Sequence, residues 1–318
     1  MIRPADGIRT GIDTDRTGST RFVDRKLRVN FPPTPNPRKP RLKVPPGAWD
    51  THFHAYGPPQ VFPYAEDRFF TPPAAPIEHY FKLAAFLGFE RGVIAQSSVH
   101  GDRDLRVTLD AIEKSDGRLR GMIRASVDHD ADDIRRLHAA GIRALRVTLA
   151  GHLPGGAFDE KFLEQVVRLA AVKSWVVALH VDPESIVRLA DRIRRMPFPT
   201  IIENYALMDA RQGVDQPALR TMIDLAREPH VWLKTASAYR MMFKGATYDQ
   251  IVPIARAVAA ASPDRIIWGS DWPHSDVFDV GRMPDDGDLV DWLADFVPDE
   301  AARRKMLVDN PKRLFDFS

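Results

Sequence analysis

From Trp49 onward, short runs of β-branched and apolar residues alternate with helix-length amphipathic stretches, and this alternation constrains the fold more than any other feature. The strand-like runs are 48–54, 92–96, 121–125, 144–149, 175–180, 200–205, 231–236 and 265–271. Helical signals such as PIEHYFKLAAFLGF, DDIRRLHAAG, DEKFLEQVVRLAAVK and YDQIVPIARAVAAASP lie between most of them. The runs IIE, RVTL and RIIWG are nearly continuous in apolar content, as expected of parallel strands covered on both faces. Eight such strands, seven crossovers and a helix after the last strand predict an α/β fold, a (β/α)8 TIM barrel. Residues 47–318 also fit the usual length of that fold, about 250 residues. An open doubly wound sheet is the alternative. It would place a glycine-rich phosphate turn after the first strand, where this chain has YGPPQ.

Residues 1–46 read differently. Pro32, Pro33, Pro35, Pro37, Pro40, Pro45 and Pro46 interrupt a basic stretch that can neither propagate a helix nor sit inside a sheet. The expected organisation is an extended proline-rich N-terminal arm over 1–46, laid over a barrel spanning 47–318, with a basic docking arm as the alternative use. Over the whole chain 44% hydrophobic and 28% charged residues exclude a disordered polymer. Lys and Arg number 45 against 43 Asp and Glu, a formal net charge of +2, so nucleic acid and membrane surfaces are not expected partners. Cys is absent, which excludes thiolate nucleophiles, disulfides and Cys-ligated zinc. No apolar run approaches the roughly 20 residues of a membrane span, and the first residues lack the apolar core of a signal peptide. A soluble cytoplasmic protein is expected. Its oligomeric state is left open, a homo-oligomer included.

A barrel of this type carries its chemistry at the C-terminal ends of its strands. The first strand ends in Asp50-Thr51-His52-Phe53-His54. Alternation along a strand turns His52 and His54 the same way, about 7 Å apart, where they can share a metal or polarise one carbonyl. The eighth ends in Trp268-Gly269-Ser270-Asp271-Trp272-Pro273-His274. A carboxylate closing an apolar strand needs a partner, and the first and eighth strands are neighbours in a closed barrel, so Asp271 is expected beside His52 and His54. His180 at the end of the fifth strand is a candidate third imidazole. Arg146 and Arg240 are candidate cations at the rim, and Ser98 and His100 add a hydroxyl and an imidazole after the second strand. Glu203, on the sixth, reads equally as an ion-pair partner and as an acid or base.

These segments resemble the amidohydrolase superfamily, in the branch called amidohydrolase family 2, and within it the 2-pyrone-4,6-dicarboxylate lactonases and related lactone hydrolases. PPGAWDTHFHAYGP, VFPYAEDRFFTP, AQSSVHG, GIRALRV, HVWLKT, RIIWGSDWPH, MPDDGDLVDWL and LVDNPKRLF carry the resemblance across nearly the whole barrel. It implies a hydrolase acting in aromatic-compound catabolism, with Asp271 as general base on water and histidines of the first and sixth strands polarising a lactone carbonyl. No metal is favoured. The alternative is a single zinc or manganese held by His52, His54, His180 and Asp271. Where the resemblance implies a sixth-strand Asp-His pair, this chain has Asn204-Tyr205, and Tyr205 is the candidate replacement donor to the oxyanion. Two carboxylate-clamping arginines are replaced by His152 and Met208 while Arg146 and Arg240 remain, so an anionic lactone with fewer carboxylates than the pyrone dicarboxylate is the expected substrate. His274 is expected to orient Asp271 or close the site over substrate, with capping of the loop after the eighth strand as the alternative, and Ser98, His100 and His274 join Arg146 and Arg240 as candidate substrate-binding residues. A metal-dependent amidohydrolase, a decarboxylase and a sugar-acid lactone isomerase are the rival activities of such a barrel, and a binding protein that has lost catalysis is the non-enzymatic one.

Overall fold

The structure, a computed structural model, describes residues 28–150 and 159–315. Eight parallel strands form one sheet: β1 (Trp49–Phe53), β2 (Arg91–Ala95), β3 (Leu119–Arg124), β4 (Ile142–Thr148), β5 (Val176–His180), β6 (Thr200–Ile202), β7 (Val231–Lys234) and β8 (Ile266–Ile267). Each pairs with its neighbours in chain order from β1 to β8. The seam between the last strand and the first is closed by Thr51 N–H donating to Trp268 O at 2.9 Å and Asp271 N–H donating to His52 O at 2.8 Å. This is the (β/α)8 barrel that the alternation predicts. The four helical segments singled out in the sequence are the helices Ile77–Leu87, Ala131–Ala139, Glu160–Ala171 and Tyr248–Ala261. Asp130 and Thr247 open two of them with capping boxes, which satisfy the otherwise orphaned first-turn N–H groups.

Two apolar layers follow from strand alternation. Residues on the outer faces of the strands meet the helices in one large core, and those on the inner faces fill the barrel. The inner set is Trp49, Val93, Ala95, Met122, Ala144, Val176, Ala178, Ile201, Trp232 and Ile267, joined by Leu314 and Phe315 from the C-terminal helix. Phe315 stacks on Trp49 at 6.2 Å. Two residues further along β4 to β7 the inner face changes character, from Ala144 to Arg146, Ala178 to His180, Ile201 to Glu203 and Trp232 to Lys234, and beyond β8 it does so four residues on, from Ile267 through Gly269 to Asp271. A polar layer thus sits directly on the apolar plug.

β1 reaches that layer through an irregularity. Its register against β2 shifts between Asp50 and Phe53, and such a shift swaps the face that later side chains present. Phe53 therefore joins the outer core, stacked on Tyr80 at 3.5 Å, while His52 and His54 join the inside. β6 and β8 are shorter than the sequence runs suggest. After Glu203 the chain turns through Asn204, Tyr205, Ala206 and Leu207, all at φ between 49° and 54°, a left-handed turn that no strand can contain.

Residues 30–46 contain neither helix nor strand. They run along the helix Asp286–Phe296: Arg38 N–H donates to Asp285, its guanidinium meets Asp288 and Asp291, and the N–H groups of Arg41 and Leu42 donate to Asp291 Oδ1 at 2.7 and 2.8 Å. Among the described residues no helix is long and apolar enough to cross a membrane.

Candidate active site

Asp271, four residues past Ile267 at the end of β8, is buried and adopts φ 65°. Its two oxygens have different surroundings. Oδ2 accepts from Tyr239 Oη at 2.7 Å and from Arg240 Nε at 3.0 Å. Oδ1 faces His52 Nε2 at 3.6 Å and His54 Nε2 at 3.9 Å. Burial pushes the carboxyl up, but Arg240 and then the two histidines outweigh it and hold Asp271 below the usual carboxylate range. It is ionised at neutral pH, with one oxygen clamped and one turned to the imidazoles.

The two imidazoles lie closer than strand spacing alone suggests, edge to face with centroids 5.1 Å apart. His54 Nδ1 is 2.7 Å from the carbonyl of Ala95, which can only accept, so the proton sits on Nδ1 and Nε2 carries the lone pair. His52 Nε2 is buried without a hydrogen-bond partner. Burial, reinforced by Lys234, lowers His52 well below the usual histidine range, and burial lowers His54 to about 4 against the opposing pull of Asp271. Both rings are neutral at pH 7.

Beneath them lies a buried charge cluster. Glu203, fully buried, accepts from Arg146 Nε at 2.6 Å through Oε2 and from Lys234 Nζ at 2.8 Å through Oε1. Burial favours its neutral form, yet Arg146 and Lys234 prevail and hold it ionised. Of the two sequence readings, Glu203 has the surroundings of an ion-pair partner. His180 lies with Nδ1 3.7 Å from Glu203 Oε2, and burial followed by Arg146 lowers it to about 3. Side-chain exposure rises from 1% for His52 through 8% for His54, 10% for His180 and 12% for Arg146 to 21% for Arg240, which sets the floor and the mouth of the site.

Other candidates lie around this group. His274 turns away from the Asp271 side chain. Its N–H donates to Asp271 O at 2.8 Å, its Nε2 meets Asp286 Oδ1 at 3.1 Å, and its ring packs edge-on against Tyr239 at 5.2 Å. Its ring thus packs on the tyrosine that donates to the carboxylate. His100 and Ser98 share a short helical turn, with His100 Nδ1 3.2 Å from Pro63 O and its ring 6.5 Å from that of Tyr56. Tyr56 in turn stacks on His54 at 6.3 Å. Tyr205 is buried in the outer core with its hydroxyl on Thr235 rather than on the Asp271 group, because the left-handed turn removes it from the strand register. Met208 is buried in the same core, and His152 lies outside the described residues.

Three polar residues were not singled out in the sequence. Asp50 accepts from Ser270 N–H at 2.9 Å, Ser270 Oγ at 2.6 Å and His52 N–H at 3.1 Å, pinning both halves of the site together across the seam; burial raises it to about 6. Lys234 and Tyr239 are the others. Lys234 closes the apolar run VWLK, the same signal that marks Asp271.

Among the described residues, His52, His54 and Asp271 offer donor atoms within 4.8 Å of one another, a group able to hold a metal ion; His180 is not part of it. Donors about 2.0–2.1 Å from a tetrahedral metal stand about 3.4 Å apart. The orphaned His52 Nε2 and the Ala95 carbonyl behind His54 complete the fit, since ligating histidines anchor their other nitrogen on such an acceptor.

A family model described as amidohydrolase matches residues 49–317. 4-Sulfomuconolactone hydrolase of Hydrogenophaga intermedia is 42% identical over 275 residues, 86% of this chain and 90% of that protein. 2-Pyrone-4,6-dicarboxylate hydrolase of Comamonas testosteroni is 33% identical over 289 residues, 88% of this chain and 93% of that protein. An apo crystal structure from Agrobacterium tumefaciens superposes with a TM-score of 0.77 at 30% identity, over 88% of this chain and 99% of that one. Barrel, polar layer and sequence agree, and the chain belongs to the amidohydrolase family of enzymes.

Proposed function

We propose that this chain is a lactone hydrolase that opens a ring bearing an anionic group by direct attack of water. One observation carries the reading: Asp271 is ionised, clamped through one oxygen, and presents the other to two neutral imidazoles at the floor of the barrel mouth. Water held at Oδ1 attacks the lactone carbonyl carbon while Asp271 takes its proton. A carboxylate held so low is a weak base, so proton transfer must accompany formation of the new C–O bond, as the water oxygen becomes acidic. His52 faces the oxygen on which negative charge builds. Collapse of the tetrahedral intermediate breaks the ring C–O bond, and Asp271 returns the proton to the leaving oxygen, giving a free hydroxyl and a carboxylic acid, which loses its remaining proton to solvent to become the carboxylate. Arg146 and Arg240, the cations nearest the mouth, orient the anionic substituent and lower the entropic part of the barrier.

His52, His54 and Asp271 would also be the residues to hold a divalent zinc or manganese ion, which when bound supplies Lewis-acid polarisation and lowers the pKa of water. The relatives' names support lactones as the substrate class. The higher identity to the sulfomuconolactone enzyme, with Met208 where a clamping arginine is expected, favours a lactone with fewer carboxylates than the pyrone dicarboxylate.

The test is ring opening of 4-sulfomuconolactone and of 2-pyrone-4,6-dicarboxylate, followed by absorbance and product mass, before and after chelation. Gain of one water per lactone supports the proposal. An unchanged formula would make the enzyme an isomerase, and release of carbon dioxide a decarboxylase. Stoichiometric metal with activity lost on chelation would assign His52, His54 and Asp271 as its ligands.

A further inference from the structure

Lys234 is fully buried at the end of β7, and the hydrolytic scheme above leaves it without a role. Its Nζ lies 2.8 Å from Glu203 Oε1 and 3.2 Å from His52 Nδ1. An ammonium has three N–H donors and no acceptor. Held by a buried carboxylate, it donates its next hydrogen to His52 Nδ1, which must then carry the lone pair, leaving the ring proton on Nε2. His54 is fixed the other way round, because the Ala95 carbonyl 2.7 Å from its Nδ1 accepts a proton there.

We propose that Lys234 is a positioning residue which, with the Ala95 carbonyl, holds His52 and His54 in opposite tautomers in the metal-free protein. His52 then presents an N–H beside Asp271 Oδ1, and His54 presents a lone pair. Resting on the lactone hydrolase reading, this division assigns each atom a task. The N–H of His52 serves the carbonyl oxygen, and the two acceptors, His54 Nε2 and Asp271 Oδ1, receive hydrogen bonds from the attacking water, whose one transferred proton goes to Asp271. Glu203 provides the contrast: its Oε1 stands 3.6 Å from His52 Nδ1. Without the ammonium that carboxylate would draw the ring proton to Nδ1, and both imidazoles would then turn lone pairs to Asp271, with no donor left for an oxyanion.

Long-range proton–nitrogen correlation spectra of chelator-treated, 15N-histidine-labelled protein test this directly, with His52 and His54 identified by their loss in His52→Gln and His54→Gln. The expected wild-type result is His52 protonated on Nε2 and His54 on Nδ1. In Lys234→Met, His52 moves to the Nδ1–H form while His54 is unchanged, and kcat falls about 100-fold with little change in KM, the size of losing one oxyanion donor. Lys234→Arg, which keeps a donor, retains the wild-type tautomer. Wild-type His52 protonated on Nδ1, or an unchanged His52 tautomer in Lys234→Met, would overturn the proposal. If that variant does not fold, the wild-type spectrum alone decides. Because the spectra need no substrate, a protein with split tautomers that opens no lactone would refute the hydrolase reading and leave the role of Lys234 standing.

Discussion

In the proposed scheme Asp271 has to be a fixed anion and a proton carrier at once, and the different surroundings of its two oxygens suit them to divide those duties. Replacing it with Asn keeps the shape and removes the base, so Asp271→Asn is expected to fold normally and lose 100- to 10,000-fold in kcat for ring opening, the range of a general base. Activity near wild type in a steady-state assay would dismiss the assignment. Tyr239→Phe removes only one of two donors to Oδ2, and a milder loss of about tenfold is expected. At this scale the sequence was most legible where a polar residue interrupts an apolar strand end, as at Asp271, His52 and His54. Lys234 carries the same mark in VWLK. A lysine there usually snorkels its ammonium to water, so burial beside Glu203 is not apparent without the fold. Asp50 was illegible for another reason: its partner Ser270 is 220 residues away.

At the scale of elements, the site depends on how closely β1 and the segment after β8 approach. A methyl group added at Gly269 would lie 2.5 Å from His52 Cβ and 2.6 Å from His52 N. Gly269→Ala must therefore push β1 outward, and it is expected to abolish activity and to destabilise by about 1–3 kcal/mol, the usual cost of overpacking, measurable by urea unfolding. The proline-rich segment acts on the same region from outside. Asn30 donates to His274 O at 3.2 Å and accepts from Val277 N–H at 2.7 Å, fastening the loop after Asp271. Asn30→Ala is expected to speed hydrogen exchange at Val277 and lower kcat, with a stability loss of about 1–3 kcal/mol for the buried groups left unpaired. Equal exchange in variant and wild type would deny the proline-rich segment a part in positioning. Most strand positions could be read from apolar runs, but not the end of β6: Asn204-Tyr205 continue the run, and only the backbone shows that they turn left-handed and carry Tyr205 away from the mouth.

For the whole molecule, the buried neutral histidines couple folding to pH. His52, His54 and His180 lie below their ordinary values, so the unfolded chain binds more protons between about pH 4 and 6.5. Their contribution is full above the unfolded value of about 6.5 and is lost as pH falls toward the folded ones. Asp50, raised to about 6, works the other way and cancels part of the slope. The balance is about two protons near pH 5, so metal-free protein is expected to lose about 2–3 kcal/mol of stability per pH unit there, as measured by denaturant melts from pH 7 to 4.5. A flat profile would mean that these rings are protonated in the native state. The barrel itself was legible because its periodic pattern is repeated eight times, whereas the depth of the charge cluster depends on which strand faces close on one another.

The seam that joins β1 to the end of β8 also imposes an order in time. His52 and His54 belong to the first barrel strand and Asp271 follows the last, so the group that acts in the proposed scheme cannot assemble until all eight strands have been made and the ring has shut. Every intermediate in which the barrel is still open is then expected to be inert, and the appearance of activity during refolding would report the closing contact itself, the slow long-range step of this topology.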